Sequence, residues 1–331
     1  PTVVEESVRL LRDGAAPTAS IWLPPLPARF PLLSVIDSER KPHEVPVGLI
    51  DDPARQHQGP WTLDLDRAGG HFAVIGSPQS GRSTFLRTVA AGISTTMPPT
   101  RATVYALDLT GAGLTRIAGF PHVGGVGVRG DVERQTRMLE ELHGMLRQRE
   151  RLFRELQIES LGHFRALHGA GRVPGIVSAD VVLIVDGYGL ARTEFTMLEE
   201  PLSELLQRGG SFGIHLVFSL TRWAELPMRL QPLVGNRIEL RLNDPGESTI
   251  ARKLAATITH PGRALTGERL FAQVALPTAD TVPDELVGES LAELAERTAA
   301  SWTGPSAAPV RLLPEVLDVD ELPEAVEDPL R

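Results

Sequence analysis

Gly76-Ser77-Pro78-Gln79-Ser80-Gly81-Arg82-Ser83-Thr84 lies between a continuous apolar run, His71–Gly76, and a helical pattern, Arg82–Thr95. The spacing is G-x-x-x-x-G-x-[S/T], and a strand before it with a helix after it is the setting in which such a loop cradles phosphate. Glycines let the chain curl so that successive backbone N–H groups face phosphate oxygens. The helix N-terminus adds a field that favours anions. Gly76, Ser77, Pro78, Gln79, Ser80, Gly81, Arg82, Ser83 and Thr84 are therefore candidate nucleotide-binding residues, with the Ser83 hydroxyl a candidate ligand for Mg²⁺. Position 82 is arginine where this loop type carries lysine. A guanidinium keeps the charge but is wide and planar, whereas an ammonium is a compact point charge. Binding through the backbone tolerates that change better than the geometry of phosphoryl transfer does.

Outward from the loop, short apolar runs alternate with helical patterns. Thr103–Leu109, Asp180–Asp186, Gly213–Leu220, Arg237–Leu242 and Leu270–Ala275 read as strands. Asp131–Gln157, with Leu139, Leu142, Leu146 and Phe153 on one stripe, reads as a long helix, and Thr193–Arg208 as a shorter one. Such alternation predicts an α/β fold with a mainly parallel central sheet and helices on both faces. Val45–Ile50 and Trp61–Leu65 read as a hairpin before the loop, and Asp284–Ala300 as a helix after the last strand. Ile21-Trp22-Leu23-Pro24-Pro25-Leu26-Pro27 cannot be helical, because its prolines remove donors and force their predecessors to extended geometry. It predicts a strap lying over a surface. The acidic tail, with Leu312-Leu313-Pro314 and Glu321-Leu322-Pro323, loosely echoes it. Two straps flanking one α/β unit suggest a tandem array cut at its connectors. The expected division is a linker over 1–44, a nucleotide-binding module over 45–279, and a helix with a linker over 280–331. A first residue of Pro1 rather than Met suggests a fragment or a processed product.

The counts exclude several classes. Of 331 residues, 33 are Lys or Arg and 42 are Asp or Glu, so the net charge of −9 argues against a nucleic-acid binder. With no cysteine, there is no disulfide framework, thiolate zinc site or thiol catalysis. No apolar run is long enough to span a membrane. Lysine occurs only at Lys41 and Lys253, so 31 of the 33 basic residues are arginine. Composition explains most of these, but Arg82 falls where the residue type matters.

Val181-Val182-Leu183-Ile184-Val185-Asp186 has the Walker B form, an apolar strand ending in the aspartate that holds the Mg²⁺ shell. The next residue is Gly187, where hydrolysing members of this class place the acid that activates water. Glu199 and Glu200 could substitute only if they left what reads as a solvated helix face. Ser219 and Thr221, at the end of the strand beside Walker B, are candidate γ-phosphate sensors. Arg222 and Arg237 are candidates to act on a neighbouring subunit, and against each stands the ordinary reading of a surface arginine. His71, His122 and His215 lack metal-ligand spacing and read as satisfied core histidines. Arg147–Arg154 alternates with Glu150 and reads as a salt-laced helix face.

Trp22-Leu23-Pro24-Pro25-Leu26, Pro46–Asp51, Ala106-Leu107-Asp108-Leu109, Pro121-His122-Val123-Gly124, Asp186-Gly187-Tyr188, Gly213-Ile214-His215, Thr221-Arg222-Trp223 and Pro261-Gly262-Arg263 come in an order that resembles the EccC family. These are FtsK/SpoIIIE-type motor ATPases of type VII (ESX) secretion, with three tandem ATPase modules behind a membrane anchor. The resemblance runs from about Ile21 to Pro277 and is nearest to the second module, where Gly and an aromatic follow the Walker B aspartate. It implies a RecA-like P-loop NTPase fold, ATP and Mg²⁺ as cofactors, neighbouring ATPase modules as partners, and small helical-hairpin (WXG100-type) export substrates. It also implies a place in a secretion complex at the cytoplasmic face of the membrane. The chain departs from the family pattern at Arg82, and at Thr110 and Ala112, where the loop is usually richer in glycine.

Arg82 and Gly187 together favour a regulatory module that binds ATP and hydrolyses it weakly or not at all. Two alternatives stay open: an active FtsK-like translocase of protein or DNA, with DNA disfavoured by the charge, and a nucleotide-free interaction scaffold.

Overall fold

Ten strands form one sheet in the order β2-β1-β10-β9-β8-β3-β7-β6-β4-β5 in the computed structural model, which describes residues 2–14, 23–37, 39–111, 113–173 and 175–312. The strands are β1 (Glu44–Asp52), β2 (His57–Asp64), β3 (Phe72–Ile75), β4 (Ala102–Asp108), β5 (Val123–Val128), β6 (Asp180–Asp186), β7 (Ile214–Leu220), β8 (Asn236–Glu239), β9 (Arg263–Thr266) and β10 (Phe271–Val274). The helices are α1 (Val3–Gly14), α2 (Arg82–Thr96), α3 (Val132–Glu155), α4 (Leu161–Gly169), α5 (Leu190–Thr193), α6 (Glu199–Arg208), α7 (Arg252–Ala255) and α8 (Val287–Ser301). From β8 through β3, β7, β6 and β4 to β5 every pairing is parallel, and from β8 out to β2 every pairing is antiparallel. The expected fold class is the one observed. None of the described helices is long and apolar enough to cross a membrane.

Alternate residues of each central strand serve opposite layers, as the pleat requires. Val182 and Ile184 of β6 join Phe85, Leu86 and Val89 of α2 and Leu291 of α8. Val181, Leu183 and Val185 face Leu139, Leu142 and Leu146 of α3 and Leu202 and Leu205 of α6. Burial on both faces explains why these strands read as unbroken apolar runs.

The proline strap lies extended over the sheet as expected. Pro24 and Leu26 carbonyls accept from Gln58 Nε2 (2.7 Å) and an Arg263 guanidinium nitrogen (2.9 Å), and Phe30 O accepts from Leu276 N. Trp22 and residues 313–331, with the tail's leucine-proline motifs, lie outside the described residues, as does Ala112.

Some elements differ from the sequence reading. α1 forms within the segment expected to be an extended linker, with Val4, Val8 and Leu11 exposed. The helix expected over Thr193–Arg208 is broken into α5, a single tight turn and α6. Pro201 thereby falls in the first turn of α6, where its missing N–H costs nothing. β5, whose sequence Val-Gly-Gly-Val-Gly-Val has little strand propensity, forms because its glycines leave room for neighbours. A Cβ at Gly124 would sit 2.4 Å from the Tyr105 ring and 2.5 Å from Ala308 O. The segment 305–312 runs along this edge, with Val310 N donating to Gly124 O and Tyr105 Oη to Ala308 O.

The Arg147–Arg154 face is also corrected. Glu150 pairs with Arg208 as a surface bridge, but Arg149 is buried, its guanidinium over the Phe164 ring. It donates to the carbonyls of Ser178, Ala179, Phe212 and Gly213 at 2.6–3.0 Å, fastening α3 to the entries of β6 and β7. Burial pushes it down to about 10, with Asp180 opposing. At the same end of the sheet Asp180 is buried between Arg165 and His215. His71 accepts from Leu216 N through Nδ1, and His122 Nε2 lies 2.7 Å from Met97 O, so the three histidines are core residues.

Two outcomes follow. Arg149→Leu strips donors from buried carbonyls and should cost about 3 kcal/mol, read from the urea midpoint. Burial, with the charge of His215, pushes His71 down to about 3 from 6.5. The unfolded chain therefore takes up this proton at a higher pH than the native state does. The resulting stability is complete above pH 6.5 and lost as pH falls toward 3. Burial alone would raise Asp180, but His215 and Arg165 overcome it and hold the carboxyl well below its ordinary range, which extends the loss below pH 3.8. The urea midpoint should fall between pH 7.5 and pH 5. His71→Asn, which keeps an acceptor for Leu216 N, should lessen that fall.

Candidate functional site

The loop between β3 and α2 is rooted on both flanking strands. Gly76 N donates to Leu220 O (3.1 Å) at the end of β7, and Ser77 N to Arg241 O (2.8 Å) just beyond β8. Its turn needs left-handed backbone at Gln79 (φ +59°) and Gly81 (φ +108°). The Pro261–Arg263 turn closes over it: Gly262 N donates to Ser80 O at 2.8 Å, and a Cβ at Gly81 would lie 3.0 Å from Gly262 N. α2 then starts at Arg82 with no side-chain cap. Among the described residues no backbone carbonyl takes the N–H groups of Gly81, Arg82, Ser83 or Thr84. They are the orphan donors of a helix start, at the positive end of its dipole.

β4 and β6 run in register so that Asp108 and Asp186 lie side by side at their carboxyl ends. Asp186 Oδ2 accepts from Ser83 Oγ (2.6 Å) and Thr110 Oγ1 (3.2 Å), and Oδ1 from Ser219 Oγ (2.5 Å). Asp186 is buried, and among the described residues no cation forms an ion pair with it. β6 thus carries two buried aspartates with opposite treatment. Asp180 at one end is matched by Arg165 and His215, whereas the side-chain hydrogen bonds to Asp186 come from neutral hydroxyls, with Arg87 acting on it without an ion pair. A hydroxyl beside a carboxylate is a hard oxygen donor set, which fits Mg²⁺. Ser83 and Asp186 are the residues that could hold the ion.

Ser219 is fully buried, and its hydroxyl is taken up by Asp186 and by Gly187 N (2.8 Å). Thr221 Oγ1 accepts from Arg82 NH1 at 3.0 Å, so the structure brings these two predicted residues together. Arg222 is exposed, and Arg237 lies over the Trp223 ring with 5.2 Å from Cζ to the centroid. Glu199 and Glu200 pair with Arg192 and Arg229.

Three participants escaped the sequence reading. Asp108 accepts from the N–H groups of Gly111, Gly113 and Leu114, setting the loop that carries Thr110. A second strand ending in aspartate was the available signal. Arg87, one turn into α2, reaches back to Ser83 O and Thr84 Oγ1. Burial lowers its affinity for protons, with Asp186 opposing, Arg116 adding and Asp108 opposing. Glu225 accepts from Thr221 N at 2.9 Å, a contact without a sequence signature.

Gly187 has φ +86°, and a Cβ there would lie 2.7 Å from Thr110 Cγ2. The backbone after Asp186 therefore excludes an acid side chain in this conformation, and Thr110 is part of the reason.

A cleft of about 350 Å³ lined by Trp61, Leu63, Phe72, Asn236 and Glu268 lies at the opposite end of the sheet. So does the group His43, Asp64 and Asp66, whose ligand atoms lie within 4.8 Å of one another and whose Asp66 also pairs with Arg165. In parallel sheets ligands bind at the carboxyl ends of the strands. The N–H groups from Gly81 to Thr84 and the Asp186 carboxylate are at that end.

The FtsK/SpoIIIE family model matches residues 31–279. The ESX secretion system protein EccC of Thermomonospora curvata is 36% identical over 343 residues, an alignment covering 98% of this chain and 26% of that protein. A solved structure of the cytoplasmic domain of the type VII secretion ATPase EccC from the same organism superposes with a TM-score of 0.88 at 35% identity, over 96% of this chain and 39% of that one. A second, EccC ATPases 2 and 3 in complex with a signal sequence peptide, gives 0.81 at 37% identity over 92% and 56%. This chain spans about a quarter of the length of the curated relative.

Gly187→Ala should destabilise the fold by about 2 kcal/mol, from the left-handed backbone and the Thr110 contact. Thr110→Ser, which removes the Cγ2 methyl, should recover part of that loss in the double variant, measured as a urea-unfolding cycle.

Proposed function

The chain belongs to the FtsK/SpoIIIE family, and from that premise we propose that it is an ATP-binding, weakly or non-hydrolysing regulatory module of an EccC-type secretion motor. Residues 45–279 form the module, 1–44 the linker before it, and 280–331 a C-terminal helix with a linker toward a following module. The second of three tandem modules is the position that Asp186-Gly187-Tyr188 favours. In this reading the N–H groups from Gly81 to Thr84 face phosphate, and Arg82 lies beside it. Ser83 and Asp186 hold Mg²⁺, which supplies the charge that neutralises both Asp186 and the phosphates.

The single observation that carries the reading is Gly187. Its φ of +86° and the Thr110 methyl beside it leave the site without an acid where water would be activated. Retention of the loop, the Ser83–Asp186 pair and the capless start of α2 supports binding, while the missing base opposes turnover.

A relative solved with a signal sequence peptide supports export of small helical-hairpin substrates as the task of the whole assembly. The cytoplasmic placement of a related ATPase supports a position at the inner face of the membrane complex.

Isothermal titration with Mg-ATP is expected to show saturable binding that Ser83→Ala weakens at least tenfold. A phosphate-release assay on the same preparation is expected to show turnover far below ~1 s⁻¹, the low end of ordinary enzyme rates. Turnover at or above that rate overturns the regulatory reading, and DNA-stimulated release lost at high salt would point to a translocase. Absence of binding would leave the interaction scaffold.

A further inference from the structure

We propose that Arg82, Thr221 and Glu225 form a relay that reads the terminal phosphate of a bound nucleotide and passes its presence to the Thr221–Leu226 segment. The inference rests on the ATP-binding reading above and assigns it a regulatory output.

Arg82 NH1 donates to Thr221 Oγ1 at 3.0 Å, a link across 139 residues of chain. Among the described residues no carboxylate pairs with Arg82. A guanidinium has five N–H donors, and here one meets a neutral hydroxyl. A phosphate oxygen is a stronger, charge-assisted acceptor than that hydroxyl. Phosphate at the start of α2 therefore competes with Thr221 for Arg82.

Thr221 is held from the other side. Its N–H donates to Glu225 Oε2 at 2.9 Å, folding the chain into a tight turn over Trp223–Glu225. The turn is closed by Glu225 N to Arg222 O and Leu226 N to Trp223 O, both 3.1 Å. Glu225 also packs on the backbone just after Walker B, since a Cβ at Gly189 would lie 2.6 Å from its Oε2. The contacts thus run from Arg82 through Thr221 and Glu225 to Gly189, three residues beyond Asp186, and Asp186 returns to Ser83 beside Arg82. Both elements of the nucleotide site bear on one short turn.

The turn carries its own reporter. Trp223 lies under the Arg237 guanidinium, 5.2 Å from Cζ to ring centroid, on a strand two places from β7. When Arg82 leaves Thr221, the turn loses its tie to the loop between β3 and α2, and the environment of Trp223 changes with it.

The experiment compares Mg-ATPγS with Mg-ADP, using the emission of the full chain minus that of Trp223→Phe, with binding measured separately by titration calorimetry. Mg-ATPγS is expected to change the Trp223 signal at least twice as much as Mg-ADP. Compared at saturating nucleotide, Glu225→Ala should lose that discrimination, and Glu225→Gln, which keeps an acceptor for Thr221 N, should retain it. Thr221→Val should lose it and Thr221→Ser keep it, so the test stands if Glu225→Ala does not fold. Equal responses to the two nucleotides in the wild type, or full discrimination in Glu225→Ala or Thr221→Val, overturn the relay. Binding with a silent Trp223 overturns the relay alone, whereas no binding overturns the ATP reading with it.

Discussion

A buried carboxylate must be met by donors or cations, and the way Asp186 is met organises this end of the molecule. Its hydroxyl partners come from three segments that are remote in sequence: Ser83 from α2, Thr110 from the loop after β4, and Ser219 from β7. Each requires its strand to stop at the same level as β6, so the parallel register of β4, β6 and β7 and the placement of the phosphate-type loop are parts of one arrangement. The hydroxyls satisfy its hydrogen-bonding capacity without cancelling its charge. That distinction separates a scaffold aspartate from one suited to a divalent ion.

Asp180, at the other end of the same strand, supplies the comparison. It has Arg165 and His215 as permanent partners, and Arg149 nearby ties α3 to the neighbouring carbonyls. Charge at this end is matched inside the protein. The two ends of β6 therefore differ: one is tied by matched charge to α3 and α4, and the other gathers hydroxyls from three segments around Asp186. The same logic bears on Gly187. A left-handed residue pressed by Thr110 lets the chain turn sharply off β6 while Gly187 N bonds Ser219, and that turn is incompatible with a side chain in the position a general base would occupy.

Most of the fold was legible in the residues, for physical reasons that can be named. Strands buried on both faces appear as apolar runs, and β6 was bounded correctly at Asp180 and Asp186. The loop Gly76–Thr84 was legible because glycine spacing, a preceding strand and a following helix are all local. What was not legible depends on remote neighbours. β5 is a strand because Tyr105 and the 305–312 segment need its glycines, and α6 starts late because Pro201 must sit in a first turn. Arg149 looked like a member of a charged face because its sequence neighbours are charged, yet its direction on α3 takes it into the protein.

The sequence by itself determined the parallel α/β class, the phosphate-type loop, the Walker B strand and the two substitutions, Arg82 and Gly187, that bear on chemistry. These depend on the order and type of adjacent residues, which backbone geometry translates directly. Only the tertiary structure decided what those substitutions touch. Arg82 meets Thr221, Gly187 meets Thr110, and Glu225 enters the site from a loop with no motif of its own. Contacts across 139 or 76 residues are set by how strands stack in the sheet. Strand stacking is a property of the whole core, and no local stretch of residues encodes it.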